Sequence, residues 1–271
     1  MEWDKIVEAI QCIISDIKEK CIIQNTAIRD NIFGILENSC TVIYYPLEDE
    51  KNRGFHIKKI VKNKLEDFVY INTAKPIAEQ IFAAAHEFGH IWEVAEKVWK
   101  CVGYDGKPTV DEEEDITNRF AAELLMPTQA FSDTFLAHMD ELGIKLGKVR
   151  LDDLIRLIVL QMSDFMVPYE SVRKRLVETH LMKREAADSL LYKEEEILNL
   201  VSIFTKDQNT YLGQGTCVKT ISGIRTLIES AEKQANVDEY LLKKIKKEFN
   251  IIDKPIEEEK IEIHIGEADD E

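Results

Sequence analysis

A chain of 271 residues, of which 45% are hydrophobic and 32% charged, can bury a substantial core and is expected to divide into more than one part. Its formal net charge of −16 argues against general binding to the phosphates of nucleic acids. Its uninterrupted apolar runs are all shorter than the roughly 18 residues needed to span a bilayer, so no membrane segment is expected. Its five cysteines are scattered without a CxxC pair, which predicts reduced thiols in a cytoplasmic protein.

The first predicted elements are a helix and a small sheet. Residues 1–20 have an amphipathic helical pattern and lack the features of a signal peptide. Three runs of β-branched and aromatic residues follow, at 41–45, 54–58 and 68–72, and predict three strands, with Pro76 opening the next helix. His56 lies in the second run and is expected to be a surface or core residue, not a metal ligand.

The pattern that says most about chemistry is HEFGH at residues 86–90, an HExxH motif inside an apolar, helix-favouring run. Helix positions four apart share a face, so the imidazoles of His86 and His90 can both reach one zinc ion at roughly 2.0–2.1 Å. Glu87 points about 100° away, where it can act as a general base on a water molecule. The alternative is a pair of core histidines that bind nothing. We favour a metal site, because unpartnered polar groups in an apolar helix cost several kcal/mol, and because Gly89 indicates that another element approaches closely.

A third protein ligand is needed to complete such a site, and the best candidate lies on the next predicted helix. Residues 111–126 carry acids in the first turn and an apolar stripe, and Pro127 ends the helix. Glu114 borders this stripe, whereas Glu112 and Glu113 are expected to rotate away from it. Spacing alone leaves open the alternative that these acids only complement the helix dipole.

Together the two motifs resemble the ImmA/IrrE family of zinc peptidases, whose pattern is HExxH followed by E-x-x-A-N-x-F-A-A-x-L-L-M-P. The second motif runs here from Glu114 to Pro127, with Thr117 in place of the usual alanine. The resemblance covers about residues 25–185. It implies a zinc site with three ligands, His86, His90 and Glu114, and with Glu87 as the catalytic base.

Two neighbours of the third ligand are expected to support it. Asn118 should act as a polar neighbour and Phe120 as a packing residue, and both should hold Glu114 against the motif helix. The residue that stabilises the oxyanion stays open, with Tyr70, Tyr104 and His180 as candidates. The resemblance further implies a protein substrate, namely a helix-turn-helix transcriptional repressor that is cut at one site in a phage, mobile-element or stress-response circuit.

Residues 151–190 hold a second candidate function. A helix from residue 151, a short turn and a helix from residue 167 resemble a helix-turn-helix, and members of the ImmA/IrrE family have a similar segment. The second helix carries three basic residues, Arg173, Lys174 and Arg175, but its first two turns contain no Asn or Gln to read base edges. We therefore expect these residues to have a structural role or to dock a protein partner, with direct DNA binding as the less favoured alternative.

The remaining sequence predicts helices and an acidic tail. Residues 193–250 carry two apolar helix faces, and residues 253–271 carry nine acids against two lysines, which predicts a disordered tail.

The sequence as a whole predicts an α+β, predominantly helical protein, in which a small β-sheet packs on a core built around the HExxH helix. The predicted parts are a zinc metallopeptidase domain over 1–150, the helix-turn-helix-like segment over 151–190, a helical extension over 191–252 and the tail over 253–271. The predicted function is that of a cytoplasmic, zinc-dependent endopeptidase. The alternative is a non-proteolytic regulator that binds a protein partner or DNA through the helix-turn-helix-like segment.

Overall fold

The computed structural model describes residues 1–21, 27–49, 51–61, 63–145, 147–233 and 237–251. Within these residues the chain forms twelve α-helices and a mixed sheet of four strands, which confirms the predominantly helical α+β fold. None of the described helices is both long enough and apolar enough to cross a membrane. The predicted acidic tail at residues 253–271 lies outside the described residues.

The chain divides into two compact units, Met1–Gly223 and Ile224–Glu271. The helices of the first unit are α1 (Trp3–Lys20), α2 (Asn31–Glu37), α3 (Ile77–Ile91), α4 (Val94–Val102), α5 (Val110–Leu125), α6 (Thr128–Glu141), α7 (Leu151–Phe165), α8 (Tyr169–Glu178), α9 (Arg184–Ser189) and α10 (Glu194–Gln208), with 3-10 turns at Leu190–Lys193 and Thr210–Gly213. The second unit contains α11 (Ile224–Glu232) and α12 (Glu239–Glu248). The predicted boundaries after residues 150 and 190 do not coincide with this division, because residues 151–223 belong to the same unit as the motif helix.

The sheet contains the three predicted strands and a fourth that the sequence did not indicate. The strands are β1 (Thr41–Tyr45), β2 (Gly54–Val61), β3 (Lys64–Asn72) and β4 (Thr220–Ile221), in the order β2-β3-β1-β4. Strands β1 and β3 are parallel, and the other two pairs are antiparallel. The prediction that residues 193–250 are helical throughout is therefore wrong at β4. A strand of two residues carries no periodic signal, and only its pairing with β1 defines it.

The segment that leads into β4 also positions the start of α3. The backbone N–H of Ile77, in the first turn of α3, donates to the carbonyl of Gln214 at 2.9 Å. At Gly215, an added Cβ would come within 2.6 Å of the carbonyl oxygen of Ala74, so only glycine lets the two backbones approach this closely. Residues far along the chain thus hold the N-terminal end of the motif helix.

Helix α3 lies in the centre of the core and is crossed closely by α5. Inward side chains of the sheet, such as Val69 and Ile71, belong to the same buried cluster as Phe88 of α3 and Phe120 of α5. An added Cβ on Gly89 would meet Thr117 Cγ2 at 2.8 Å and Phe120 Cδ1 at 2.9 Å. The close approach that this mid-helix glycine indicated is therefore made by α5, the helix that carries Glu114.

Candidate metal centre

Three potential ligand atoms converge between α3 and α5. Nε2 of His86 and Nε2 of His90 lie 3.0 Å apart. Oε2 of Glu114 lies 3.2 Å from Nε2 of His86, and Oε1 of Glu114 lies 3.4 Å from Nε2 of His90. Ligand atoms placed tetrahedrally at about 2.0–2.1 Å from a zinc ion are themselves about 3.3 Å apart. The spacing of these atoms, and the donor set of two imidazoles and one carboxylate, fit a single metal ion.

The second nitrogen of each imidazole also has a partner on α5. Nδ1 of His86 lies 3.0 Å from Oδ1 of Asn118, and Nδ1 of His90 lies 3.3 Å from Oε1 of Glu113. A proton on each Nδ1 can be donated to these oxygens, which leaves both Nε2 atoms free to bind metal. The structure thus places Asn118 beside the candidate centre.

Glu113 also contacts the site, although it was expected to rotate away from the apolar stripe of α5. Its neighbour Glu114 faces the gap between the two Nε2 atoms, and the side chain of Glu113 is long enough to reach the far side of His90. Helical periodicity describes the direction of the Cβ, not the reach of a flexible side chain, so this contact could not be predicted from the sequence. Glu112 does face away, and it forms a capping box with Thr109 at the start of α5.

Glu87 is buried beside this centre, with 6% of its surface exposed. Burial raises the pKa of its carboxyl to about 8, and the negative charge of Glu114 acts in the same direction. Burial also lowers the pKa of His86, to which the charge of His90 contributes, and this favours the neutral imidazole that ligates metals. The site therefore combines a neutral imidazole at His86 with a carboxyl at Glu87 that can both take up and release a proton near neutral pH.

Phe120 is fully buried, and its ring centroid lies 6.5 Å from that of Phe88 on the motif helix. The same ring lies against the position of Gly89. Phe120 thus packs α5 onto α3 six residues beyond Glu114, at the crossing of the two helices.

His56 and the three residues considered for stabilising the oxyanion, Tyr70, Tyr104 and His180, are not among the three potential metal ligands. Nε2 of His56 is 2.6 Å from Oδ1 of Asp67, and the ring of His56 stacks beside that of His90 at a centroid distance of 6.5 Å. The hydroxyl of Tyr70 donates to the carbonyl of Tyr45 at 2.8 Å, and that of Tyr104 accepts from the backbone N–H of Glu2 at 2.9 Å. Both tyrosine hydroxyls are thus engaged elsewhere. The third oxyanion candidate, His180, lines a large cleft beside α8.

The predicted basic docking surface on α8 is wrong for two of its three residues. The guanidinium of Arg175 is fully buried and donates to both carboxylate oxygens of Glu123, each at 2.7 Å. Arg173 is 6% exposed and donates to Glu170 and to the carbonyl of Ala187. Of the three residues only Lys174 is exposed, with 65% of its side chain accessible.

Burial of these two guanidinium groups has a physical reason and a functional consequence. A buried cation requires a paired anion, and Glu123 near the end of α5 supplies it for Arg175. The pair ties α8 to the metal-centre helix, which makes the helix-turn-helix-like segment part of the first compact unit. Burial of both arginines, Arg175 against Glu123 and Arg173 against Glu170, leaves only one of the three cations that DNA binding through α8 would have used.

An HExxH helix whose two histidines share a glutamate from a second helix defines a metallopeptidase-like domain. Comparison with protein families agrees with this class. The model described as Peptidase_M78, IrrE N-terminal-like domain, matches residues 37–177, and the chain belongs to this family.

No curated protein sequence matches this chain. Among solved structures, a Mycobacterium tuberculosis transcriptional regulator is similar at 13% sequence identity and a TM-score of 0.41, over 64% of this chain and 46% of that chain. This chain thus spans about half the length of that regulator.

Proposed function

We propose that this protein is a zinc-dependent endopeptidase that cuts a helix-turn-helix transcriptional repressor. The observation that carries the catalytic part of the proposal is the convergence of His86, His90 and Glu114, with ligand atoms 3.0–3.4 Å apart beside the buried carboxyl of Glu87. Membership of the Peptidase_M78 family supports peptide-bond hydrolysis. The intact set of ligands and base favours an enzyme over a regulator that only keeps the peptidase shape.

Each residue of the site has a defined task in this reaction. Zinc, when bound by the three ligands, supplies a Lewis acid for the scissile carbonyl. The carboxylate of Glu87 accepts a proton from the attacking water and then donates it to the nitrogen of the leaving amine. Asn118 and Glu113 fix the ring orientation of the two histidines through their Nδ1 atoms.

Strand β2 offers a place for the backbone of the substrate. It is an edge strand of the sheet, and its residue His56 lies beside His90 of the candidate centre. Peptides commonly bind to such edges by adding a strand through main-chain hydrogen bonds. An extended segment paired with β2 would run past the metal ligands.

The proposed substrate and setting rest on the resemblance of the two sequence motifs to the ImmA/IrrE family. A cytoplasmic peptidase that recognises one repressor and cuts it at a single site would relieve repression without digesting other proteins. Incubation with the cognate repressor should therefore give two fragments, while casein should stay intact. Broad digestion of casein would contradict this specificity.

Metal analysis and one conservative variant test the catalytic part. The purified protein should hold about one zinc per chain, and His86→Ala or His90→Ala should lose it. Glu87→Gln should keep the zinc and the fold but lower repressor cleavage by about 10²–10⁴-fold, since an amide cannot accept the proton. Near wild-type cleavage by Glu87→Gln, or stoichiometric zinc in either histidine variant, would overturn the assignment.

A further inference from the structure

Strand β2 runs along the motif helix and past the candidate metal centre. At the start of the strand, a Cβ added to Gly54 would lie 3.6 Å from Cβ of Ala83, in the first half of α3. Four residues later, Nζ of Lys58 donates to Oε1 of Glu93, just beyond the end of α3, at 2.7 Å. Both candidate histidine ligands lie on the helix between these two contacts. A chain that pairs with β2 therefore passes beside the centre.

The unpaired edge of β2 identifies an extended polypeptide as its partner. In the part of the chain that the structure describes, β2 ends the sheet and is paired with β3 along its other edge. Backbone N–H and C=O groups of alternate residues therefore point away from the sheet. The strand has eight residues and no proline, so each N–H on this edge can donate. Such a row of groups binds another extended chain through main-chain hydrogen bonds.

The inward face of β2 borders a small polar pocket beside the candidate centre. His56 lies opposite Val69 of β3, which is fully buried, so His56 and Lys58 share the face that points toward the core. Together with His90 and Glu113 they line a pocket of about 280 Å³ whose lining is mainly polar. This volume lies just below the range of about 300–1,000 Å³ for small-molecule sites. The pocket therefore suits one polar side chain of a chain that is paired with β2.

The opposite face of β2 is apolar and exposed. Phe55 and Ile57 lie on this face, opposite Tyr70 and Phe68 of β3, and 44% and 47% of their respective surfaces are accessible. The ring of Phe55 stacks on that of Tyr70 at a centroid distance of 5.0 Å. A strand added beside β2 would bring its own side chains to about 4.5–5.5 Å from those directly opposite on the same face. Two apolar side chains of the partner, separated by one residue, would therefore cover Phe55 and Ile57.

We propose that β2 binds an extended segment of the substrate in which apolar and polar residues alternate. The apolar side chains cover Phe55 and Ile57 on the outer face of the sheet, and the polar side chain between them enters the pocket beside His90. The inference rests on the proposed peptidase function, because it takes the occupant of β2 to be the protein that is cut. It deepens that function by naming the residue pattern that the site selects.

The test compares two synthetic peptides of about ten residues and the same composition, each with a fluorophore at its N-terminus. Isoleucine alternates with serine and glutamate in the first peptide, whereas the isoleucines are consecutive in the second. Binding is measured by fluorescence anisotropy on the zinc-loaded, full-length Glu87→Gln protein, which lacks the proposed base. The alternating peptide should bind at least about tenfold more tightly, because consecutive side chains of an extended chain point to opposite faces.

Protein variants test the outer face of β2. Combining Phe55→Thr with Ile57→Thr removes the apolar side chains but keeps residues that favour strands. This double variant should bind the alternating peptide about five- to tenfold more weakly, with zinc content unchanged. Leu65→Thr is the matched control: Leu65 is 64% exposed but lies on β3, one strand away from the edge, so its replacement should leave the affinity unchanged.

Two N-methylated forms of the alternating peptide test the pairing of backbones. In each form, methyl groups on every second residue remove the N–H groups along one edge of the extended peptide. Methylation of one set should weaken binding and methylation of the other should not, because only one edge of the peptide faces β2. Similar effects of both sets would contradict strand addition.

The outcomes separate this inference from the peptidase function. Equal binding of the two peptides, or binding that is unaffected by the double variant, would overturn the inference and leave the peptidase function standing. Pattern-dependent binding, together with no cleavage of the repressor by the wild-type protein, would uphold the binding role of β2 and overturn the peptidase function. A wild-type dimer that the double variant converts into a monomer, as seen by light scattering, would assign the edge to a second copy of the chain and overturn the inference.

Discussion

Oε1 of Glu113 lies 3.3 Å from Nδ1 of His90, on the side of the imidazole opposite to the nitrogen that faces Glu114. Two consecutive glutamates of α5 thus contact the two ring nitrogens of one histidine. Glu114 is a candidate metal ligand. Glu113 orients the imidazole of His90, the residue with which Glu114 would share the metal. A carboxylate in this position also raises the basicity of a ligating imidazole.

Replacement of Glu113 by Ala should therefore weaken zinc binding by about 10–100-fold without abolishing it, because His90 loses the partner that fixes its ring. The affinity can be measured by competition with a chelating dye. Glu112→Ala is the matched control: it removes the capping box with Thr109, which should lower the free energy of unfolding slightly, and it should leave zinc affinity unchanged. Equal zinc affinities of the two variants would show that the contact with His90 has no role.

Gly89→Ala should destabilise the protein by about 1–3 kcal/mol, because the new methyl group would collide with Thr117 and Phe120 and push α5 away from α3. Urea denaturation measures this change. The control is Gly34→Ala in α2, where an added Cβ meets no atom within 4 Å and should stabilise the helix by about 0.5–1 kcal/mol. A neutral result at Gly89 would mean that the two helices can separate freely.

Arg175→Ala should lower the free energy of unfolding by about 3–5 kcal/mol, since it leaves the buried carboxylate of Glu123 without its main partner. Lys174→Ala, one position earlier but 65% exposed, should change it by less than about 0.5 kcal/mol. Thermal or urea denaturation separates the two cases. Similar small effects would indicate that Arg175 lies at the surface, as the sequence had suggested.

The Glu123–Arg175 pair also predicts how stability depends on pH. Burial alone would raise the pKa of Glu123, but hydrogen bonding and attraction from Arg175, together with the charge of Arg119, lower it below the ordinary value of 4.5. The carboxylate therefore stabilises the fold fully above about pH 4.5, and this contribution is lost as the pH falls through the lower, folded-state pKa.

Glu123→Gln removes this titration. The difference in unfolding free energy between the wild-type and Glu123→Gln proteins should be greatest near pH 7 and should shrink toward pH 3, as the wild-type carboxyl becomes protonated. Urea denaturation at a series of pH values measures it. A difference that stays constant or grows in acid would contradict a lowered pKa for this group.

The sequence by itself determined the local features of this protein. Apolar periodicity and strand-forming runs predicted α3, α5 and strands β1 to β3, because these signals depend on residues close together in the chain. The HExxH spacing placed His86 and His90 on one helix face, since helix geometry fixes that relationship whatever surrounds it. The order of the two motifs was sufficient to indicate the family, to which the chain belongs.

Tertiary structure alone decided which side chains meet across the chain. The sequence predicts that Arg175 is a surface cation on a basic helix. It is buried instead, because it pairs in the core with Glu123, which lies 52 residues earlier. The reach of Glu113 to His90, the pairing of β4 with β1 and the cleft between α5 and α8 likewise depend on elements distant in sequence. Local sequence patterns predict the direction in which the backbone points a side chain. Which distant group it finds there is fixed only when the chain packs, because buried charges and unpaired backbone groups must then each obtain a partner.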